Sequence, residues 1–290
     1  MFNSTWTPEE LITDDLLDSF NIPLGKKIQR LNMFYQNSEI LYNYLCYYIG
    51  SERNVKCRRW FSRKKCFKTR LNVITMEASG SQAEGLDMKE SDTDIMVILD
   101  TYGSVPENTA QSTSYRGPTR IQYTSSTQSP GYVCVELVIG SECVPIPNFI
   151  LQELMNKQLL GWNFIGRITT HGPALAHLPF RYEMDIVPAL KSKTWPKIAN
   201  EWILRERKFE WPSQEMINNI VKQGYFIVPV GSKTILSNKI EWRLSFNLAE
   251  KHLIFSFNHT QLLVYGLLKL VLNEIENRKK KFQNYFVLIF

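Results

Sequence analysis

Asp92 and Asp94 stand at the head of an apolar run, Ile95-Met96-Val97-Ile98-Leu99, and a Gly80-Ser81-Gln82-Ala83-Glu84-Gly85 segment lies shortly before them. Residues two apart in a strand share a face, so this spacing aims both carboxylates at one point. Two carboxylates side by side repel and raise each other's pKa, and a divalent cation between them accounts for the pair best. Magnesium, with hard oxygen ligands and a habit of bridging carboxylates to substrate phosphates, is the natural ion. Val73-Ile74-Thr75-Met76 reads as a short strand, and the chain then turns at Gly80-Ser81 into a short helix. Backbone N–H groups at such a turn form an anion site. A phosphate cradle beside metal-binding carboxylates is the equipment of phosphoryl or nucleotidyl transfer. Asp-x-Asp by itself is a weak sign, because paired acids at a strand end are more often a solvated loop edge. The whole pattern of strand, Gly-Ser, short helix, Asp-x-Asp and strand is far more specific.

That whole pattern resembles the active-site signature of the nucleotidyltransferase-β fold, in which a third carboxylate arrives later from a neighbouring strand. Asp185, within Tyr182-Glu183-Met184-Asp185-Ile186-Val187-Pro188-Ala189-Leu190, matches it. Further phrases agree: Thr194-Trp195-Pro196, Trp242-Arg243-Leu244-Ser245-Phe246, His171-Gly172-Pro173-Ala174, Val228-Pro229-Val230-Gly231-Ser232-Lys233 and Ser256-Phe257-Asn258-His259-Thr260-Gln261. From about residue 70 onward, with the Ser/Thr-rich middle set aside, the chain is similar to the cyclic GMP-AMP synthase family. Its animal relatives, the cGAS-like receptors and the male-abnormal (Mab) proteins, share these phrases. The resemblance implies an α+β, bilobal nucleotidyltransferase fold: a mixed β-sheet with a Gly-Ser helix motif, plus a C-terminal helical lobe. It implies Asp92, Asp94 and Asp185 as catalytic residues holding Mg²⁺ or Mn²⁺, with Asp185 next to the acceptor hydroxyl. Residue by residue, Gly80, Ser81, Arg243, Ser245, Lys269 and Tyr285 match nucleotide-binding positions. The bland alternatives are an Arg243 paired with Glu241 or Glu250, a Lys269 on a polar helix face and a Tyr285 in the core.

The implied activity is synthesis of a cyclic dinucleotide from ATP and GTP in innate immune sensing, switched on by double-stranded RNA or DNA. The alternative is a catalytically inactive Mab-type scaffold that binds nucleotide or a partner protein, and retention of three carboxylates weighs against it. A tailing polymerase of the wider superfamily shares the acids but not the Thr194-Trp195-Pro196 and Arg243-Leu244-Ser245-Phe246 phrases. The chain departs from the family in two places. Leu288 stands where the pattern has a lysine, and no cysteine follows Cys143, so the zinc thumb of the vertebrate enzyme is absent and His252 and His259 read as ordinary polar or capping residues. Cys46, Cys57, Cys66, Cys134 and Cys143 form no Cys-x-x-Cys pair and read as free thiols.

The formal net charge of +6 is local. Nine basic residues and no acid lie between Arg53 and Arg70, with Trp60, Phe61 and Phe67 interleaved, and the rest of the chain is net acidic. Arg58, Arg59, Arg63, Lys64 and Lys65 are the candidate contacts to a nucleic-acid backbone. A solvated charge run is the competing reading.

These residues need a frame. The 290 residues carry 44% hydrophobic and 21% charged side chains, ordinary for a globular protein. No run is apolar enough for a transmembrane helix and the N-terminus has no signal layout, so the expectation is a cytoplasmic protein without membrane contact. Thr7-Pro8-Glu9-Glu10 starts one helix, and a longer one runs from about Lys26 to Ile49. The expected organisation is residues 1–50 as N-terminal helices including a long spine helix, 51–194 as the nucleotidyltransferase core, and 195–290 as a C-terminal helical lobe. An exposed Ser/Thr-rich loop is expected over 101–131, followed by a strand at 132–138. Residues 285–290, under two helical turns, read as too short to stand unless packed. Apolar faces of the 261–276 helix would then be exposed, with a dimer as one consequence.

Overall fold

The computed structural model describes residues 24–65, 67–68, 74–86, 88, 93–102, 104–108, 119–126, 129–161, 168–171, 174–177, 184–207, 209–232 and 239–289. The helix expected over Thr7–Leu17 lies outside them. The chain divides into two compact units, Gly50–Leu262 and Met1–Ile49 with Leu263–Phe290. Residues 195–262 fall in the larger unit.

The larger unit is built on a mixed sheet in the order β1-β2-β3-β9-β10-β11-β5-β4. Its strands are β1 Phe67–Lys68, β2 Ile74–Ser79, β3 Thr93–Leu99, β4 Thr119–Ser125, β5 Tyr132–Ile139, β6 Glu142–Pro145, β7 Ile168–His171, β8 Ala174–His177, β9 Met184–Ser192, β10 Tyr225–Val228 and β11 Glu241–Ser245. β6 pairs with β5, and β8 joins β7 to β9. The β3–β9 pair is parallel, and the others are antiparallel. The helices of this unit are α2 Glu52–Lys65, α3 Gly80–Glu84, α4 Asn148–Gly161, α5 Asn200–Leu204, α6 Gln214–Gln223 and α7 Asn247–Phe255. In chain order α1 is Leu24–Tyr48, close to the expected 26–49, and α8 is His259–Ile289.

Two expectations are corrected. The stretch 101–131 is not one loop, because Thr119–Ser125 forms β4, paired with residues 133–139 of β5. Its alternation puts Tyr123 in the core at 0% exposure, where it shares a hydroxyl–hydroxyl bond with Tyr225. Arg120, Gln122 and Thr124 at the intervening positions, with Thr and Ser at the ends, hide that period from a compositional reading. Residues 285–289 are likewise not a separate short helix but the end of the continuous 31-residue α8, which takes its nucleation from the turns before it. Val264, Leu268, Val271, Leu272 and Ile275 are exposed along α8. Asn258 caps its start: the Gln261 amide N–H donates to Asn258 Oδ1, and the Asn258 N–H donates to Gln261 Oε1.

Strand alternation sorts the sheet into two faces. Ile74, Val97, Leu99, Ile186, Leu190, Tyr225, Ile227, Trp242 and Leu244 form the main core on one face. Trp242 anchors it, its indole N–H donating to the Ile146 carbonyl at 2.9 Å. The opposite face holds a smaller cluster of Met96, Ile98, Ala189, Phe226 and Val228, with Leu248 of α7 packed on it. By the period of two, Asp94 and Asp185 belong to this second face.

Candidate active site

The register brings two of the three expected acids together. On the parallel pair β3–β9, Asp94 is directly opposite Asp185, and on the antiparallel pair β2–β3, Ser79 is opposite Asp94. Directly paired residues project to the same face, and neighbouring strands lie about 4.8 Å apart, so Ser79, Asp94 and Asp185 form one row. Asp92 lies outside the described residues. The row occurs where β3 and β9 begin, so two strands carry the carboxylates into one place from segments about ninety residues apart in sequence.

Gly80 follows immediately. Its φ is +70°, and a Cβ there would stand 1.8 Å from Asp94 Oδ2 and 2.8 Å from Asp94 Cγ. Only glycine lets the backbone come so close to that carboxylate in this left-handed conformation. α3 then closes on itself: Gly85 N–H donates to the Gln82 carbonyl at 3.1 Å and Leu86 N–H to the Ser81 carbonyl at 3.0 Å. Thr93 Oγ1 donates to Gln82 Oε1 at 2.9 Å, tying α3 to the start of β3. A cavity of about 200 Å³ opens beside Asp94, walled by Ser79, Gln82, Thr93 and, from α2, Arg58, Phe61 and Ser62.

The basic helix is thus part of the site's wall. Arg58 Nη1 donates to the Gly85 carbonyl at 3.3 Å. Arg59 donates from Nε to the Glu84 carbonyl at 2.8 Å and from Nη2 to the Ile254 carbonyl at 3.0 Å. Burial, then the Arg63 charge, pulls its pKa down, while Glu84 acts the other way. Arg59 and Arg63 also sit over the Phe255 ring, at 4.8 and 5.0 Å. Arg63 is exposed, and the side chains of Lys64 and Lys65 lie outside the described residues. Beneath this helix, Lys251 of α7 bonds Glu77 Oε1 at 2.6 Å and the Ala78 carbonyl at 3.1 Å, fixing α7 to β2.

The remaining expected residues are more dispersed. Ser245 lies opposite Phe226, which lies opposite Lys191, six residues along β9 from Asp185, or roughly 20 Å at 3.3 Å per residue. Arg243, exposed, is two residues nearer. Both share the face of the acids. Glu241 is not a partner on offer to Arg243: it is 5% exposed, and its oxygens accept from Ser126 Oγ at 3.3 Å and the Ser232 N–H at 3.1 Å. Lys269 and Tyr285 lie on α8 in the other compact unit. Lys269 Nζ sits 4.7 Å from the centroid of the Tyr265 ring, and Tyr285's side chain is outside the described residues. Sequence reasoning missed Ser79, Gln82 and Thr93 as parts of the site's wall. Only Ser79 left a trace, as the residue just before the Gly-Ser turn, while the others are single polar residues without a pattern.

Among the described residues no group of three or more His, Cys, Asp or Glu is placed to hold a metal, and Asp92 is not among them. Cys46, Cys57, Cys134 and Cys143 are free thiols. No helix of the described residues is long and apolar enough to cross a membrane. The strand pairing of Asp94 and Asp185, the glycine against Asp94 and the short helix after it are the local architecture expected of a nucleotidyltransferase core. In comparison with known families, residues 165–256, which include Asp185, Arg243 and Ser245, match the Mab-21 protein nucleotidyltransferase domain.

Proposed function

We propose that this chain is a metal-dependent nucleotidyltransferase that joins ATP and GTP into a cyclic dinucleotide for innate immune signalling in the cytoplasm, when double-stranded RNA or DNA docks on it. The observation that carries the reading is Asp94 in register with Asp185, with Gly80 packed against the Asp94 carboxylate. Oxygen donors alone in this row suit a hard divalent ion. Asp92, Asp94 and Asp185 would hold Mg²⁺ or Mn²⁺, which when bound supplies charge neutralisation at the reacting phosphate.

The chain's own groups do the rest. The Gly80 N–H and the Ser81 hydroxyl hold the donor triphosphate. Asp185 takes the proton of the acceptor hydroxyl as it attacks. Arg243 and Ser245 contact the nucleotide from the far part of the same sheet face, Lys269 binds the triphosphate, and Tyr285 stacks on a base. Arg63, Lys64 and Lys65 carry most of the phosphate-backbone contacts. Arg58 and Arg59 contribute less, because each already holds a backbone carbonyl of the protein.

The test is incubation with all four ribonucleoside triphosphates and Mg²⁺ or Mn²⁺, with and without duplex RNA or DNA, reading products by mass spectrometry. Asp94→Asn should remove nearly all product while leaving the fold intact or slightly stabilised, since it relieves like-charge repulsion. Undiminished product from that variant excludes the site. Wild type inert under every condition favours the non-catalytic scaffold.

A further inference from the structure

α2 carries two aromatic rings on a surface that is otherwise strongly cationic. Trp60 and Phe61 are 56% and 60% exposed, and their centroids are 5.0 Å apart in an edge-to-face arrangement. With Glu52, Arg53, Lys56 and Cys57 they border an open hollow of about 680 Å³. The helix is sorted by side. Val55 and Ser62 are buried, and Arg58 and Arg59 are turned to backbone carbonyls of the body. Arg53 and Lys56 are exposed next to the rings. Glu52, the one acid of the helix, forms a surface ion pair with Lys56 at 2.6 Å, weak enough for a phosphate to displace.

A solvated charge run has no use for two large rings held in water. Charge complementarity selects a polyanion, and the ring faces select one that offers faces of its own. A blunt duplex presents phosphates but keeps its bases stacked inside, whereas unpaired bases stack on aromatic side chains while cations track the backbone. We infer that the outer side of α2 binds unpaired nucleotides, a single-stranded end or loop, with bases on Trp60 and Phe61 and phosphates on Arg53 and Lys56. This rests on the reading that the chain binds nucleic acid and names the feature it selects. Phe61 also walls the cavity beside Asp94, so a base docked on it touches a side chain shared with the candidate active site.

The experiment measures binding of the full chain by fluorescence anisotropy to three labelled probes: a 12-nucleotide single-stranded RNA, the blunt duplex of the same sequence, and heparin as a polyanion without bases. Single strand should bind more tightly than blunt duplex and quench Trp60 emission. Trp60→Leu with Phe61→Leu should weaken the strand about tenfold or more and leave heparin within about twofold, while Trp60→Tyr, which keeps a ring face, should restore most of the affinity. Equal losses on strand and heparin, or no loss at all, would overturn the inference. Tighter binding to blunt duplex, indifferent to the leucines, overturns it while leaving the nucleic-acid reading standing. Absence of binding to either nucleic acid sinks both, and Trp60-dependent flotation with phosphatidylserine vesicles would then assign this face to a membrane surface.

Discussion

Gly80→Ala tests the geometry of the site without touching an acid. The added Cβ would lie 1.8 Å from Asp94 Oδ2, 2.8 Å from Cγ and 3.2 Å from the Asp94 Cβ. Ordinary van der Waals contact begins near 3.4 Å, so the carboxylate oxygen must retreat by roughly 1.5 Å, away from its place in the row with Asp185. Misplacement by about 1 Å costs on the order of a hundredfold in rate, and that is the expected loss of turnover. A left-handed alanine also costs about 1–2 kcal/mol. Gly131 separates the two effects, having φ +82° with nothing within 4 Å of where an alanine methyl would stand. Gly131→Ala should therefore show only the backbone cost, a fall in Tm of about 2–8 °C for a unit of this size. Gly80→Ala should fall further, and the excess should shrink in an Asp94→Ala background, where the Oδ2 and Cγ contacts are gone. Differential scanning calorimetry reads the stabilities, and product formation reads the rate. If Gly80→Ala and Gly131→Ala cost the same, or the excess persists without the Asp94 carboxylate, the close approach has been misjudged.

Two further outcomes follow from the basic helix and its surroundings. Arg59→Gln removes a side chain that bonds the Glu84 and Ile254 carbonyls and should lower stability by about 1–3 kcal/mol; Arg53→Gln on the exposed side should change it by less than about 0.5 kcal/mol. Equal denaturant midpoints for the two variants would deny Arg59 its structural role. His252 faces the Gln223 amide, and burial, then Lys251 and Arg63, hold its pKa below the ordinary histidine value. The unfolded chain therefore takes up a proton first, so this contribution to stability is lost as pH falls through about 6.5. Chemical denaturation at about pH 7.5 and pH 5.5 should show a smaller drop for His252→Gln than for wild type, with His259, also lowered chiefly by burial, left as the shared background. Identical drops would show that His252 does not titrate in this window.

What the sequence makes legible is local. The apolar runs of β2, β3 and β9 and the glycine turn into α3 are written in short stretches whose period and turn chemistry are unambiguous. β4 is not legible, because Arg120, Gln122 and Thr124 alternate with its core-facing residues and Tyr123 is its one large side chain fully inside. The pairing of Asp94 with Asp185 is long-range: the residues show two strand-heading acids, and only the parallel β3–β9 register makes them neighbours. The roles of Arg58 and Arg59 are hidden for the same reason. A cluster of like charges looks uniform in sequence, and which members turn inward depends on carbonyls at Glu84, Gly85 and Ile254 that the chain supplies much later or on another element.

The small helix after Gly80 shows why such long-range detail matters to the site. Five residues cannot hold a helix by their own hydrogen bonds, so α3 must be positioned from outside. Arg58 and Arg59 of α2 grip the carbonyls at its C-terminal end, and Thr93 at the head of β3 grips Gln82 from another side. Gly80 meets the Asp94 carboxylate at its first residue. The element that would cradle phosphate is thereby referenced both to the strand carrying an acid and to the basic helix on the surface. Arg59 continues the chain of contacts to α7 through Ile254 and Phe255, and Lys251 returns it to β2 through Glu77. The ring closes on β2, the strand that runs directly into Gly80. Because Arg58 and Arg59 bind backbone carbonyls, replacing the side chains of α3 costs only the Gln82 tie to Thr93, whereas replacing Arg59 removes both a hold on α3 and the link to α7.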